Sequence, residues 1–291
     1  MHIKIRLQLF GLLRIKKKRP DDTIRKRICF LFLAVLVLFV GMAIFHHEKR
    51  KYALHDRVIE MEHFRSMQAG GSLQEETAEL QKQSGLSKGK LLALAFAGAQ
   101  ASFPKKMPTI DELQQTAKWM YRYRPKQYEM LENAFCAVWD DLVCFPVKCR
   151  VSYEDSWMEE RTYGGKRGHE GTDLMPPTNQ RGFYPVFSAT AGTVEHMGWL
   201  QKGGWRIGIR SEQGGYFYYA HLSEYAPGME EGKTVEAGEM LGYMGDSGYG
   251  EEGTVGQFAV HLHFGIYIQT ADGQEVSVDP YWILKGLEGE P

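Results

Sequence analysis

Glycines and short apolar runs constrain the fold of the C-terminal half more than any other feature of the chain. Of its 32 glycines, 22 lie from Gly164 to Gly265. Among them are apolar or alternating runs of about strand length, at 183–189, 193–197, 205–209, 216–221, 239–244 and 260–268. Turn sequences such as Asp246-Ser247-Gly248 separate these runs. The pattern predicts an all-β domain of antiparallel strands in a compact sandwich or barrel-like arrangement.

Four histidines and one aspartate in this half have spacings that suit a metal site. They are His169, Asp173, His221, His261 and His263. Side chains alternate along a strand, so His261 and His263 are expected on one face of the strand predicted at 260–268. Glycines around His169 favour a loop that runs into a strand at 172–175 over a helix. A catalytic zinc site uses three protein ligands and keeps a fourth position open, so five such residues can supply three ligands and two proton-handling groups.

The segments that carry these residues, HEGTD, YYAHLS and HLHFG, occur in that order along the chain. They resemble the M23 (LytM/lysostaphin-type) zinc metallopeptidases, which cleave peptide bonds in bacterial peptidoglycan. The resemblance covers about residues 145–284 and implies a duplicated-hybrid-motif-like β-sandwich. A strand pattern at 232–242, similar to that of lipoyl carrier domains, agrees with this fold.

The resemblance also implies roles for individual residues. His169, Asp173 and His263 would be the ligands of Zn²⁺, whereas His221 and His261 would be catalytic and act on the water and the transition state. Tyr163, six residues before His169, would be a transition-state contact, or else an aromatic residue packed in its loop. The residues leave open which of His221 and His261 is the base and which the stabiliser.

Two classes of function follow from the resemblance. The first is a zinc metalloendopeptidase that hydrolyses peptide cross-links in peptidoglycan through an activated water. The alternative is a non-hydrolytic M23-like scaffold or activator that acts in a cell-wall or sporulation complex. Relatives of the second kind commonly lack one or more of the five residues. All five are present here, which favours the enzyme.

An uncharged run of 18 residues, from Ile28 to Phe45, is long enough to cross a bilayer as a helix. Ten Lys or Arg and two Asp precede it, which predicts a cytoplasmic N-terminus and an extracytoplasmic catalytic domain. A cleaved signal peptide is the alternative. The run is long for a signal peptide, and residues 46–50 contain no small-residue cleavage site. We therefore expect one retained transmembrane helix in the cell membrane.

Residues 46–140 are poor in glycine and are predicted to be helical. A juxtamembrane helix or stalk is expected at 51–68. Thr109 followed by Glu112 predicts a helix start, with that helix running toward Tyr123 and another from Pro125 toward Asp140. The region could serve as a spacer or as the contact site of a protein partner.

These observations divide the chain into five parts. They are a basic cytoplasmic tail (1–27), a transmembrane helix (28–45), a helical juxtamembrane or spacer region (46–140), the M23-like zinc metallopeptidase domain (145–284) and a C-terminal tail (285–291).

Charge and cysteine content add little to this division. The net charge of −1 predicts no nucleic-acid binding, and membrane topology with anionic lipid contact accounts for the basic tail. The three cysteines beyond the apolar run, Cys136, Cys144 and Cys149, allow at most one disulfide among themselves.

Overall fold

The structure is a computed structural model that describes residues 22–51 and 54–288, with the backbone alone at 47–51. Most of the predicted basic tail, and the last three residues of the predicted C-terminal tail, lie outside the described residues. The chain divides into two compact units, one up to Arg50 and one from Lys51 onward.

The first unit contains one long helix, α1 (Asp22–Lys51), which includes the predicted 28–45 segment. Within its stretch Asp22–His46, an 18-residue window has a mean hydropathy of 3.1, and none of this window is buried within the protein. By length and composition this helix can cross a membrane, and a signal sequence would satisfy the same criteria.

The second unit begins with helices. They are the 3-10 turn Val58–Glu60, α2 (Glu62–Arg65), α3 (Gly71–Ser84), α4 (Lys88–Gly98), α5 (Ile110–Tyr123) and α6 (Pro125–Trp139), and a last helix, α7 (Tyr281–Leu287), follows the strands. The predicted start of α5 is confirmed, because Thr109 and Glu112 form a reciprocal capping box. The predicted helix from Pro125 is confirmed as α6. Proline suits the first position of a helix because the backbone N–H that it lacks would have no hydrogen-bond partner within the helix.

The prediction of a juxtamembrane helix or stalk at 51–68 is wrong for residues 55–68, which the structure describes. That part contains only the 3-10 turn and the four-residue helix α2. Val58, Phe64 and Met67 are fully buried there. Because their apolar side chains pack into the core, this segment folds onto the second unit and does not extend from it as a stalk.

Antiparallel strands follow the helices. They are β1 (Glu160–Arg161), β2 (Arg167–Gly168), β3 (Thr172–Leu174), β4 (Pro185–Phe187), β5 (Gly192–Leu200), β6 (Gly204–Ser211), β7 (Tyr216–Tyr225), β8 (Thr234–Val235), β9 (Met240–Met244), β10 (Leu262–Gln269) and β11 (Glu275–Val278). Each of the six runs predicted as strands overlaps one of these strands. The predicted fold class, a helical region followed by an antiparallel β domain, is confirmed.

The strands form a two-stranded ribbon, β1-β2, and a nine-stranded sheet. The main path of the sheet is β11-β10-β7-β6-β5-β8, with β3 paired to β10 and with β9 paired to both β4 and β7. Strands β10, β7 and β6 are therefore consecutive neighbours. Their exposed face forms the floor of the cleft described below.

Helices and sheet share one hydrophobic core. Phe64 of α2 contacts Phe135 of α6 with ring centroids 5.1 Å apart, and the same buried cluster includes Phe217 of β7 and Phe264 of β10. Arg65 ties the two parts together by donating hydrogen bonds to the carbonyl and hydroxyl oxygens of Ser277, both at 2.9 Å. The helical region is therefore packed against the sheet within one compact unit.

A candidate metal centre in a cleft on the sheet

Strand register brings together the first two residues of the candidate metal centre. Asp173 on β3 lies directly opposite His263 on β10. Residues directly opposite in an antiparallel pair have adjacent side chains on the same face. Accordingly, Oδ1 of Asp173 lies 2.9 Å from Nδ1 of His263.

His169 completes a cluster of three. It lies just before β3, where its backbone N–H donates to Glu159 and its carbonyl accepts from Met158, both at 2.9 Å. Its Nε2 atom lies 3.0 Å from Oδ1 of Asp173 and 3.0 Å from Nδ1 of His263. Each residue thus directs one potential ligand atom toward a common point.

The glycine within the HEGTD segment is required by this packing. A Cβ atom at Gly171 would lie 2.6 Å from Cε1 and 2.7 Å from Nε2 of the His263 ring. Any side chain at this position would therefore displace His263 or separate β3 from β10.

The three residues fit a zinc ion by donor type and spacing. Two imidazole nitrogens and one carboxylate oxygen are common zinc ligands, bound at about 2.0–2.2 Å. Ligand atoms of a tetrahedral site at such distances are separated by about 3.3 Å. The three candidate atoms are 2.9–3.0 Å apart, so small outward movements would accommodate the ion.

Charge and burial also suit a cation at this point. Burial alone would raise the pKa of Asp173, but hydrogen bonds with His169 and His263 outweigh it and hold that pKa well below its usual value. Burial lowers the pKa of His263, despite the neighbouring carboxylate. Ionised carboxylate and neutral imidazole are the protonation states that bind metal.

His221 reaches the cleft because the sheet is irregular at that point. Trp205 of β6 pairs with Leu222, whereas Ile207 pairs with Tyr219, so Arg206 faces two residues of β7. This arrangement is a β-bulge, which re-aims a side chain that regular alternation would direct to the opposite face. The backbone φ of His221 is 62°, a left-handed value that is uncommon outside glycine.

His221 and His261 are fixed in the same tautomeric form when neutral. Nδ1 of His221 lies 2.8 Å from the carbonyl oxygen of Ser247, and Nδ1 of His261 lies 2.8 Å from that of Ala259. A carbonyl oxygen only accepts hydrogen bonds, so each Nδ1 carries the proton. Each Nε2 is then left with its lone pair. Their ring centroids are 4.8 Å apart, and Nε2 of His261 is 3.7 Å from Oδ1 of Asp173.

Aromatic side chains cover this histidine pair. Burial, followed by repulsion from His261 and His263, lowers the pKa of His221 well below its usual value. Phe258 packs against His221 with ring centroids 4.5 Å apart, and Tyr249 contacts Phe258. Tyr163 stacks on Tyr249 at 4.2 Å with nearly parallel rings. Tyr163, the candidate transition-state contact, therefore lies behind Tyr249, which lines the cleft.

The structure brings all six candidate residues named from the sequence to one region, and it adds two that the sequence analysis missed. Ser156 Oγ lies 2.9 Å from Nδ1 of His169. Arg161 donates to Oδ2 of Asp173 at 3.2 Å and lies 3.0 Å from Nδ1 of His169. Neither residue lies in a motif, and only the folded loop brings them to the site.

The helical region supports the loop that carries Ser156. Trp157, the next residue, donates from its indole N–H to Glu62 of α2 at 3.3 Å. The guanidinium of Arg65 lies over the same indole, 5.5 Å from the ring centroid. Side chains of α2 thus hold the segment whose serine contacts the candidate ligand His169.

The cleft around these groups has a volume of about 690 Å³. Its lining includes both histidine sets, the tyrosines Tyr216, Tyr218 and Tyr267, and the arginines Arg161, Arg167, Arg206 and Arg210. A three-ligand candidate metal centre beside two free imidazoles, in an open cleft, defines the class of site found in metal-dependent hydrolases.

Comparison with known proteins places the chain in a family. The model of peptidase family M23 matches residues 167–280. A solved structure from Ruminococcus gnavus ATCC 29149, of a protein proposed to be the glycyl-glycine endopeptidase LytM, is 42% identical with a TM-score of 0.67. The similarity covers 79% of this chain and 92% of that chain, so it extends beyond the family match into the helical region.

A second relative is the L-Ala–D-Glu endopeptidase of Bacillus subtilis (strain 168), which is 43% identical over 143 residues. The match covers 49% of this chain but only 42% of that relative. The chain belongs to peptidase family M23, as a LytM/lysostaphin-like metallopeptidase. The predicted family is therefore confirmed.

Ser156 provides a test of how His169 is oriented. When neutral His169 offers Nε2 to a metal, its Nδ1 proton needs an acceptor; Ser156 Oγ can accept it, whereas the nearby Arg161 guanidinium can only donate. We expect Ser156→Ala to weaken zinc affinity about 10- to 100-fold, as measured by competition with a chelating dye. The control is Ser152→Ala, at an exposed serine of the same segment. Equal zinc affinity of the two variants would contradict this role of Ser156.

Proposed function

We propose that this chain is a zinc metalloendopeptidase that hydrolyses peptide bonds in bacterial peptidoglycan. The observation that carries the proposal is the convergence of His169 Nε2, Asp173 Oδ1 and His263 Nδ1 within about 3 Å of one another, beside two imidazoles with free Nε2 atoms. Membership of family M23 supports the same reaction.

His169, Asp173 and His263 would hold the zinc ion. When bound there, zinc supplies Lewis-acid polarisation of the scissile carbonyl and a lowered pKa of water. Arg161 keeps Asp173 in place through Oδ2 and leaves Oδ1 directed at the ligand cluster. Ser156 orients His169 by accepting a hydrogen bond from its Nδ1 atom.

His221 and His261 would carry the proton transfers. Each presents an Nε2 lone pair because Nδ1 donates to a backbone carbonyl. One imidazole accepts the proton of the attacking water, and an imidazolium formed in this way can return a proton to the leaving amine. The other donates to the carbonyl oxygen as negative charge develops on it. Burial of His221 keeps this residue neutral before the reaction.

Tyr163 would contribute a further contact to the transition state, as the family resemblance implies. Its ring is stacked on Tyr249, which lines the cleft. This stacking fixes the plane of the Tyr163 ring behind Tyr249.

The two relatives suggest two candidate peptide bonds for the substrate. The Ruminococcus gnavus protein is proposed to act on glycyl-glycine bonds, whereas the Bacillus subtilis relative is an L-Ala–D-Glu endopeptidase. Either bond occurs in a peptide that can lie extended along the exposed face of β10, β7 and β6.

Helix α1 would hold the enzyme at the cell membrane, with the cleft outside the cytoplasm. Its uncharged run and the positive charges before it support this topology. We expect the full-length chain to remain in the membrane pellet after alkaline carbonate extraction and to be released by detergent. Recovery of a shortened chain in the soluble fraction would instead support a cleaved signal sequence.

The histidine pair and the ligand set should respond differently to substitution. We expect His261→Ala and His221→Ala to lower peptidoglycan hydrolysis by at least about 100-fold, because proton transfer is lost. Both variants should retain zinc. His263→Ala should lose both zinc and hydrolysis, because a ligand is removed. Metal content is measured by mass spectrometry on dialysed full-length protein, and hydrolysis by identification of the released peptides.

The control for these variants is His63→Ala, at an exposed histidine of α2. It should keep both zinc and activity. Loss of zinc in His221→Ala, or activity in His261→Ala equal to that of the control, would contradict the roles assigned here. A wild-type protein that binds no zinc and releases no peptide would support the scaffold alternative.

A further inference from the structure

Two arginines in the cleft have donor groups that nothing in the described protein satisfies. Nη1 of Arg206 and Nε of Arg167 are buried and have no hydrogen-bond partner. Among residues 22–51 and 54–288, neither guanidinium lies within 4 Å of a carboxylate. Both side chains line the cleft that contains the candidate metal centre.

The other arginines of the cleft are neutralised by acidic side chains. Arg210 forms ion pairs with Glu195 and Glu275. Arg161 forms ion pairs with Asp173 and Glu159. The positive charge of Arg206 and Arg167 is therefore not part of an internal network.

Two further charged groups line the cleft. Exposed Lys202 has no ion pair among the described residues, and its charge adds to that of the arginines. Glu170 carries the opposite charge, but its carboxylate lies 4.0 Å from Arg65 of α2. The region beside Arg206 and Arg167 thus keeps an excess of positive charge.

Register locates Arg206 relative to the candidate ligands. His263 of β10 pairs with Ala220 of β7, and Arg206 of β6 faces the bulge formed by Ala220 and His221. Two strand spacings of about 4.8 Å place the backbone of Arg206 about 10 Å across the sheet from that of His263. A substrate residue one or two positions from the bond at the metal centre would lie within reach of this side chain.

Tyr218, which also lines the cleft, lies near both arginines. The charges of Arg206 and Arg167 both act on its phenol. Its ring is 6.0 Å from that of His263, between centroids. A phenol near two cations and next to the ligand cluster is a suitable hydrogen-bond donor to an anion.

Buried donors without partners are unfavourable, and those of a guanidinium more than most. Because both guanidinium groups also line the cleft and have no carboxylate partner there among the described residues, their natural complement is a carboxylate on a bound ligand, which accepts hydrogen bonds from arginine in fixed geometry. We propose that Arg206 and Arg167 form a subsite for a free carboxylate on the substrate, within two residues of the scissile bond. This inference rests on the proposed peptidase function and makes the two arginines determinants of specificity.

The subsite discriminates between the two candidate bonds. An alanyl-glutamyl bond whose glutamyl residue continues through its γ-carboxyl presents a free α-carboxylate beside the cleaved bond. A glycyl-glycine bond presents no such charge. The arginine pair therefore selects the acidic substrate.

The test compares matched peptides on the full-length, zinc-loaded protein in detergent. One peptide contains L-Ala–D-Glu with a free α-carboxylate, the second carries a carboxamide at that carbon, and the third is pentaglycine. We expect kcat/KM for the carboxylate peptide to exceed that for the carboxamide about 10- to 100-fold, with pentaglycine slower still. Arg206→Gln should remove this preference mainly by slowing cleavage of the carboxylate peptide, and Arg206→Lys should restore part of it.

A binding measurement keeps the test independent of turnover. On the His261→Ala variant, calorimetry should show tighter binding of the carboxylate peptide than of the carboxamide, and adding Arg167→Gln should reduce that difference. The surface control is Arg122→Gln, at an exposed residue of α5. Zinc content and thermal unfolding confirm that each variant is folded.

The outcomes separate this inference from the proposed function. Cleavage of the carboxamide as fast as the carboxylate would overturn the subsite and leave the peptidase intact. An equal loss of activity on both peptides in Arg206→Gln would show a structural role and would also overturn it. Absence of cleavage of any peptide or peptidoglycan would contradict the peptidase, while selective carboxylate binding would still support the subsite.

Discussion

The direct pairing of Asp173 with His263 across β3 and β10 is the constraint on which the site depends. Because side chains alternate along strands, a slip of one residue between β3 and β10 would turn Asp173 away from the cleft. The register is fixed by the apolar residues on the opposite face, where Leu262 and Phe264 are fully buried. The hydrophobic core therefore positions the candidate metal ligands. His169 lies beside these two ligands because its backbone is hydrogen-bonded to the segment around β1, which lies outside the main sheet.

The bulge on β7 is the second determinant. In a regular strand His221 would face the core, beside Tyr219. The extra residue opposite Arg206 turns it into the cleft, and its left-handed backbone conformation accompanies the turn. The same irregularity places Arg206 opposite the histidine. One local departure from strand geometry thus turns a proposed proton carrier into the cleft and sets it opposite a proposed carboxylate-binding group.

The sequence predicted much of this arrangement because its periodicities are local. Alternation over 260–268 and the capping box at Thr109 both predicted elements that the structure contains. The segment at 54–68 was different, because burial of Val58 and Phe64 against distant helices decides its conformation and no local pattern reports such contacts. Ser156 and Arg161 were missed because tertiary contacts alone bring them to His169 and Asp173. Arg206 was within reach of sequence reasoning: it alternates with apolar Ile207 and Ile209, so its side chain had to lie on the face opposite the core.

Anomalous diffraction at the zinc edge, from crystals of the zinc-loaded protein, tests the central claim most directly. We predict one peak about 2.0–2.2 Å from His169 Nε2, Asp173 Oδ1 and His263 Nδ1. The Nε2 atoms of His221 and His261 should lie beyond bonding distance from it. A zinc ion bound by His221 or His261, or crystals with no ordered zinc at Asp173, would contradict the account.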